Sequence, residues 1–269
     1  MSRLDTFLVE AGIGTKQIVK EYVRQGKVCV NEQVELVPSR QIMPGKDCIT
    51  YEGKIMDNQH KVYYMFHKPA GCVTARSDAV QKTVLDYFTD VDCRGLFPVG
   101  RLDKDTEGLL LLTNDGQFNQ QLMKPERHVA KTYFFWAFGT LDEEKHRKIE
   151  EGMLLDGQGE LTLPAKLDIC KRGTLAQYRE ILPEYVVIDR KKNTSEQSVL
   201  SGCLTIHEGR KHQVKKMLCN VGCRVFYLKR VAIGGLPLDE ALLPGEYRKL
   251  TEQEQKLAKQ NNPGRNQET

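Results

Sequence analysis

The sequence predicts an α+β protein in two parts: a small module of helices and short strands, then a larger domain built on a mainly antiparallel sheet. Three observations predict it. Apolar residues recur at helical spacing in the first two dozen positions, and glycines break the pattern. Farther along, strand candidates follow one another without regular alternation with helices. The apolar run from Leu109 to Leu112 is too short to cross a membrane and reads as a buried strand.

Leu4, Phe7, Leu8 and Ala11 mark a first helix over residues 3–11, and Gly12 and Gly14 break it. Thr15 is the predicted N-cap of a second helix that runs to Gln25, with Gly26 as its terminator. Ile18, Val19, Tyr22 and Val23 form one face of that helix. Lys16, Lys20 and Arg24 fall at i, i+4 and i+8 and form a basic stripe beside it. A strand VCV, a turn at Asn31 and Glu32 and a second apolar stretch VELV complete a module over residues 1–52. Residues 53–60 read as a polar linker. Within the larger domain, residues 61–251, strands are predicted at 62–66, 109–113, 132–138, 185–189 and 225–228, and helices at 143–151 and 210–219. Residues 252–269 read as a polar tail, partly disordered beyond a final helical turn.

Of the 269 residues, 40% are hydrophobic and 28% charged, which is the balance of a globular domain with an ordinary core. The first residues, MSRLDTFLVE, lack an apolar signal core, so a cytoplasmic protein with no membrane partner is expected. The net charge of +4 is a mild lean toward polyanions. Eight cysteines are scattered without a C-x-x-C pair and read as reduced thiols. Cys219, Cys223, His207 and His212 match no finger or ribbon spacing, so no metal is expected.

The segment with the most chemistry is FPVGRLDKDTEGLLLLTNDG, residues 97–116. Asp103 and Asp105 stand in a charged loop that feeds the apolar strand, and Asn114-Asp115-Gly116 closes it as a turn. By spacing alone such a loop reads as a solvated acidic turn. The string G-R-L-D-x-D-T-x-G-L-x-x-x-T-x-D-G, however, resembles the catalytic motif of the RsuA-type pseudouridine synthases, where the first Asp is essential. Lys131-Thr132-Tyr133 is similar to that family's K-x-Y motif, whose tyrosine packs on the target base. Residues 208–217, EGRKHQVKKM, are similar to its E-G-R-x-H-Q helix. Less specific echoes are HKPAG at 67–71, LKRVAIGG at 228–235 and the closing LPGEYRKLTEQE. The first 50 residues resemble the small RNA-binding domain named after a small-subunit ribosomal protein.

The resemblance implies an isomerase that converts one uridine of ribosomal RNA to pseudouridine without a cofactor, acting as a monomer. It assigns catalysis to Asp103, Tyr133 and Lys215, with Lys215 paired to Asp103. Asp103 would act by adding to the sugar or by assisting elimination to a glycal. RNA contacts are expected at Lys16, Lys20, Arg24, Lys68, Arg101, Arg210, His212 and Gln213. The closing segment and TLPAKLDI look more like the members that modify small-subunit rRNA than those that modify large-subunit rRNA. The rival readings are a large-subunit enzyme, a non-catalytic RNA-binding assembly factor and an N-glycosidase that releases the base.

Overall fold

The computed structural model describes residues 1–56, 61–155, 159–179, 181–182, 186, 188 and 194–260. The first part comprises β1 (Ser2–Arg3), α1 (Leu4–Glu10), α2 (Lys16–Arg24), β2 (Val28–Val30), β3 (Gln33–Val34), β4 (Gln41–Ile42), β5 (Ile49–Tyr51) and β6 (Lys54–Ile55). Leu4, Phe7 and Leu8 from α1 and Val19 and Val23 from α2 are buried together over Val28, Val30 and Ile49 of the sheet. Thr15 caps α2 by accepting from the Ile18 amide, and Gly26 ends the chain reversal at φ +74°. Asn31 and Glu32 both take positive φ, which suits the tight turn between β2 and β3. Lys16 and Arg24 are exposed and Lys20 is half-buried.

The second part comprises β7 (Tyr63–Lys68), β8 (Phe97–Val99), β9 (Glu107–Thr113), α3 (Gly116–Met123), β10 (Lys131–Phe138), α4 (Glu143–Glu151), β11 (Lys166–Thr174), α5 (Leu175–Arg179), β12 (Ser198–Ile206), α6 (Gln213–Asn220), β13 (Arg224–Ile233), β14 (Leu236–Pro237), β15 (Tyr247–Lys249) and α7 (Glu252–Ala258). Among the described residues one nine-stranded sheet runs β11-β12-β10-β13-β9-β7-β15, with β8 on β9 and β14 on β13. Its pairings are antiparallel except β13 with β9.

Strand β9 explains its own apolar run. Leu110 and Leu112 face one cluster with Phe66, Phe135, Met217 and Leu218. Leu109 and Leu111 face the other with Met65, Phe118, Leu122 and Ile233. Both faces of the strand are covered, so four leucines in a row are all fully buried. Each such burial contributes about 1.5–3 kcal/mol, which anchors the base of the loop before β9. The two parts of the chain meet at Gly12, where a Cβ would come within 2.8 Å of the Gly95 amide nitrogen.

The structure revises several expectations. The linker begins later than residue 53, because Lys54 and Ile55 pair with β5 around a turn at Glu52 and Gly53, both at positive φ; residues 57–60 of it lie outside the described residues. The VELV stretch pairs only at Val34, and Leu36 and Val37 are exposed. Asn114-Asp115-Gly116 is a strand-to-helix junction rather than a hairpin turn: Asp115 caps α3 by accepting from the Gln117 and Phe118 amides. The helix expected from 210 starts at Gln213. The strand expected at 185–189 falls largely outside the described residues, whereas β11 and β12 were not foreseen. The stretch from 252 opens with a packed helix that starts in a Thr251–Glu254 capping box and buries Ala258; residues 261–269 lie outside the described residues.

Candidate active site

The loop between β8 and β9 is held at alternate residues, and that decides where its acids go. Leu102 is buried; its amide donates to Thr74 Oγ1 at 3.2 Å and its carbonyl accepts from the same hydroxyl at 2.7 Å. Lys68 Nζ donates to the carbonyls of Pro69, Lys104 and Thr106 at 3.0, 3.3 and 2.9 Å. The Gly71 amide adds a second bond to the Lys104 carbonyl. A turn from the Thr106 amide to the Asp103 carbonyl closes the loop. Residues 102, 104 and 106 are thereby fixed through their backbones, and Asp103 and Asp105 line the cleft between them.

Across from the loop, α6 presents Lys215. Its Nζ donates to Asp105 Oδ1 at 2.5 Å and lies 3.6 Å from Asp103 Oδ2. The expected pair is thus shared, and the shorter bond goes to Asp105. Burial pushes the Asp105 carboxyl up, but the Lys215 bond and charge outweigh it and hold the group below its ordinary value. His212 takes a left-handed backbone at φ +55° just before α6, and its Nε2 lies 3.5 Å from Asp103 Oδ1. That conformation is why the helix starts late: the Arg210 amide donates to Gln213 Oε1, and the 210–213 turn stands apart from the helix.

Strand β10 brings Tyr133 to the same cleft, 8% exposed. Its hydroxyl accepts from Arg230 Nη1 of β13 at 3.4 Å. Lys131, two residues earlier on the same side of the strand, is buried, and burial together with the Arg230 charge pushes it down to about 8. Ile206 and Leu228 complete an apolar floor, and the cleft encloses about 900 Å³, room for a nucleotide and its neighbours. Arg101 is exposed at its lip.

Asp103, Tyr133, Lys215, Arg101, His212, Arg210 and Gln213 therefore line one cleft, whereas Lys68 does not, and Lys68, Gln213 and Arg210 have side-chain donors engaged within the protein. Lys68 is fully buried and spends its three donors on loop carbonyls. Gln213 is buried and donates to Glu208. Arg210 gives its guanidinium to Glu208 Oε2 and to the carbonyls of Glu160 and Leu161 at 2.9, 2.6 and 2.6 Å. With the Leu163 amide donating to Glu208 Oε1, these bonds tie the segment before TLPAKLDI, and its start, to the 208–213 turn. Thr74, Lys131 and Arg230 were not foreseen as site residues. Arg230 had two visible signals: with Lys229 it is a charged pair inside the strand VFYLKRVAI, and it stands in the LKRVAIGG echo.

The family model described as RNA pseudouridylate synthase matches residues 62–220, and the S4 domain model matches residues 2–47. The chain is 39% identical to the uncharacterized RNA pseudouridine synthase YtzG of Bacillus subtilis, covering 94% of this chain and 96% of the relative. It is 35% identical to ribosomal small subunit pseudouridine synthase A of Vibrio cholerae, over 94% and 97% of the two chains. It is 36% identical to ribosomal large subunit pseudouridine synthase B of Bacillus subtilis, over 95% of each. A crystal structure of a pseudouridylate synthase, 34% identical, covers 96% of this chain and 100% of its own with a TM-score of 0.62.

Proposed function

The chain belongs to the RNA pseudouridylate synthase family, and on that premise we propose that it isomerises one uridine of ribosomal RNA, in the small subunit, with Asp103 as the reacting carboxylate. The observation that carries this is the convergence of Asp103, Lys215 and Tyr133 on one cleft large enough for a flipped nucleotide. A uridine in a stack is out of reach of such a cleft, so the nucleotide must swing out of its helix or come from a loop. Arg101 at the lip is placed to take a phosphate of the extruded strand.

In the cleft the Asp103 carboxylate faces the anomeric carbon, and acts there by adding to the sugar or by taking a proton from its second carbon. Lys215, 3.6 Å away, provides a fixed counter-charge in a partly desolvated site. The loop is held through Thr74 and Lys68, so little reorganisation is needed to keep the carboxylate on target. Tyr133 offers a ring face for the base while it turns.

The small-subunit reading rests on TLPAKLDI and the closing segment. Arg210 and Glu208 fasten the residues just before and at the start of TLPAKLDI to the 208–213 turn at the rim of the cleft. That position lets the segment touch RNA flanking the target. Mapping of carbodiimide-labelled pseudouridines in rRNA from cells with and without the gene tests both levels. Loss of one site in small-subunit rRNA is expected. Loss in large-subunit rRNA would move the substrate, and no loss in either would reject rRNA.

A further inference from the structure

Arg230 is a buried cation with a spare donor. It is 2% exposed on β13 and lines the floor of the cleft. Its Nε donates to the Leu109 carbonyl at 2.7 Å and its Nη1 reaches the Tyr133 hydroxyl at 3.4 Å. Its Nη2 is buried without a hydrogen-bond partner. Leaving a charged donor buried in that state is unfavourable. Beside it the Lys131 ammonium, also on the floor, donates to the Val129 carbonyl at 2.9 Å. The bonds of both cations go to oxygens without a full charge. Two such cations in an apolar floor are an unfavourable arrangement until an anion arrives.

The reaction makes one. When the bond from the anomeric carbon to uracil N1 breaks, its electron pair stays with the base and spreads from N1 onto the two carbonyl oxygens. The base turns, its C5 bonds to the anomeric carbon, the C5 proton leaves and N1 takes one up. Atoms balance and no co-reactant is used. The uracil anion exists only between the two bonding events, against Tyr133.

We propose that Arg230 is a further catalytic residue: its Nη2 donates to a carbonyl oxygen of the detached uracil and stabilises the base as an anion, while the bond from Nη1 to Tyr133 aims the guanidinium at the seat of the base. This rests on the synthase reading and on the base lying against Tyr133. Preorganised donors aimed at charge that appears during a reaction are worth most in a water-excluded site.

The test uses the full-length protein and an rRNA fragment carrying uridine or 5-fluorouridine at the mapped position. Fluorine makes the base more acidic, so the base needs less help to leave. For Arg230→Met, single-turnover conversion of uridine at saturating RNA should fall about 100-fold, with the half-saturating RNA concentration nearly unchanged. Consumption of 5-fluorouridine should fall only about tenfold, because the better leaving group depends less on the donor. Equal losses on both substrates, or a loss confined to the half-saturating concentration, would overturn the proposal. If Arg230→Met does not melt as a folded protein, the same comparison on Arg230→Lys decides, with unequal losses again required. A wild-type protein that converts no uridine would defeat the synthase reading itself; an active wild type beside an unaffected Arg230→Met would defeat only this inference.

Discussion

Lys215 stands between two carboxylates and holds them unequally, at 2.5 Å from Asp105 and 3.6 Å from Asp103. The tighter partner is the more exposed one, and its bond holds the cation beside Asp103. Asp103→Asn should abolish pseudouridine formation while the protein still folds and binds RNA. Asp105→Asn keeps the shape and should lose about tenfold, the cost of about 1.4 kcal/mol in positioning. Single-turnover conversion by both variants, with RNA binding measured in parallel, ranks the acids; an inactive Asp105→Asn beside an active Asp103→Asn would reverse the assignment. The pH dependence has a definite sign. The Asp105 carboxyl is lowered on folding, so its contribution to stability is present above the unfolded value and is lost as pH falls through the folded one. The melting-temperature advantage of wild type over Asp105→Asn should hold at neutral pH and shrink below about pH 4.

At the scale of elements, the approach of β9 to β13 sets the site. These strands pair in parallel at Glu107 and Gly108, and a Cβ on Gly108 would lie 2.2 Å from the Arg230 carbonyl oxygen, at a φ of +103°. Gly108→Ala should therefore cost on the order of 4 kcal/mol or prevent folding, by overpacking against a backbone and by strain together. Gly209→Ala, with nothing within 4 Å of the new atom, is the control and should stay within about 0.5 kcal/mol. Urea unfolding of the two reads the difference; similar midpoints would show that β13 can give way. Strand β9 was legible because continuous leucine is unambiguous when both faces are buried. Strand β12 was not: Ser201, Gly202 and Cys203 interrupt its apolar pattern, yet it pairs on both sides along its length. Asp115 was misread because Asn-Asp-Gly carries turn chemistry, whereas the cap it makes for α3 depends on where the chain goes next. In the site, Asp103, Tyr133 and Lys215 were legible as motif positions. The burial of Lys68 was not, since a lysine beside Pro69 and Gly71 reads as a loop residue and only packing shows its three carbonyl partners.

At the scale of the molecule, substrate holding and chemistry fall, on the proposed reading, to different parts of the chain. Lys16, Lys20 and Arg24 lie on α2 of the small domain, and the cleft lies in the large sheet. Changing all three to Gln should weaken RNA binding and reduce the slope of log affinity against log salt by about two to three units, as expected for three lost phosphate contacts. Turnover at saturating RNA should stay nearly intact; an unchanged slope would mean that α2 meets no phosphate. The pairing of β13 with β9 also governs when the site exists during synthesis. The acidic loop emerges early, but Lys215 and Arg230 come from elements made far later, and the sheet cannot bring them opposite the loop until β13 has been translated. A nascent chain that has completed the small domain carries the basic helix α2, and none of the active centre until the loop before β9 follows. If α2 holds RNA as proposed, a prematurely terminated product that stops before β13 should grip RNA without altering it.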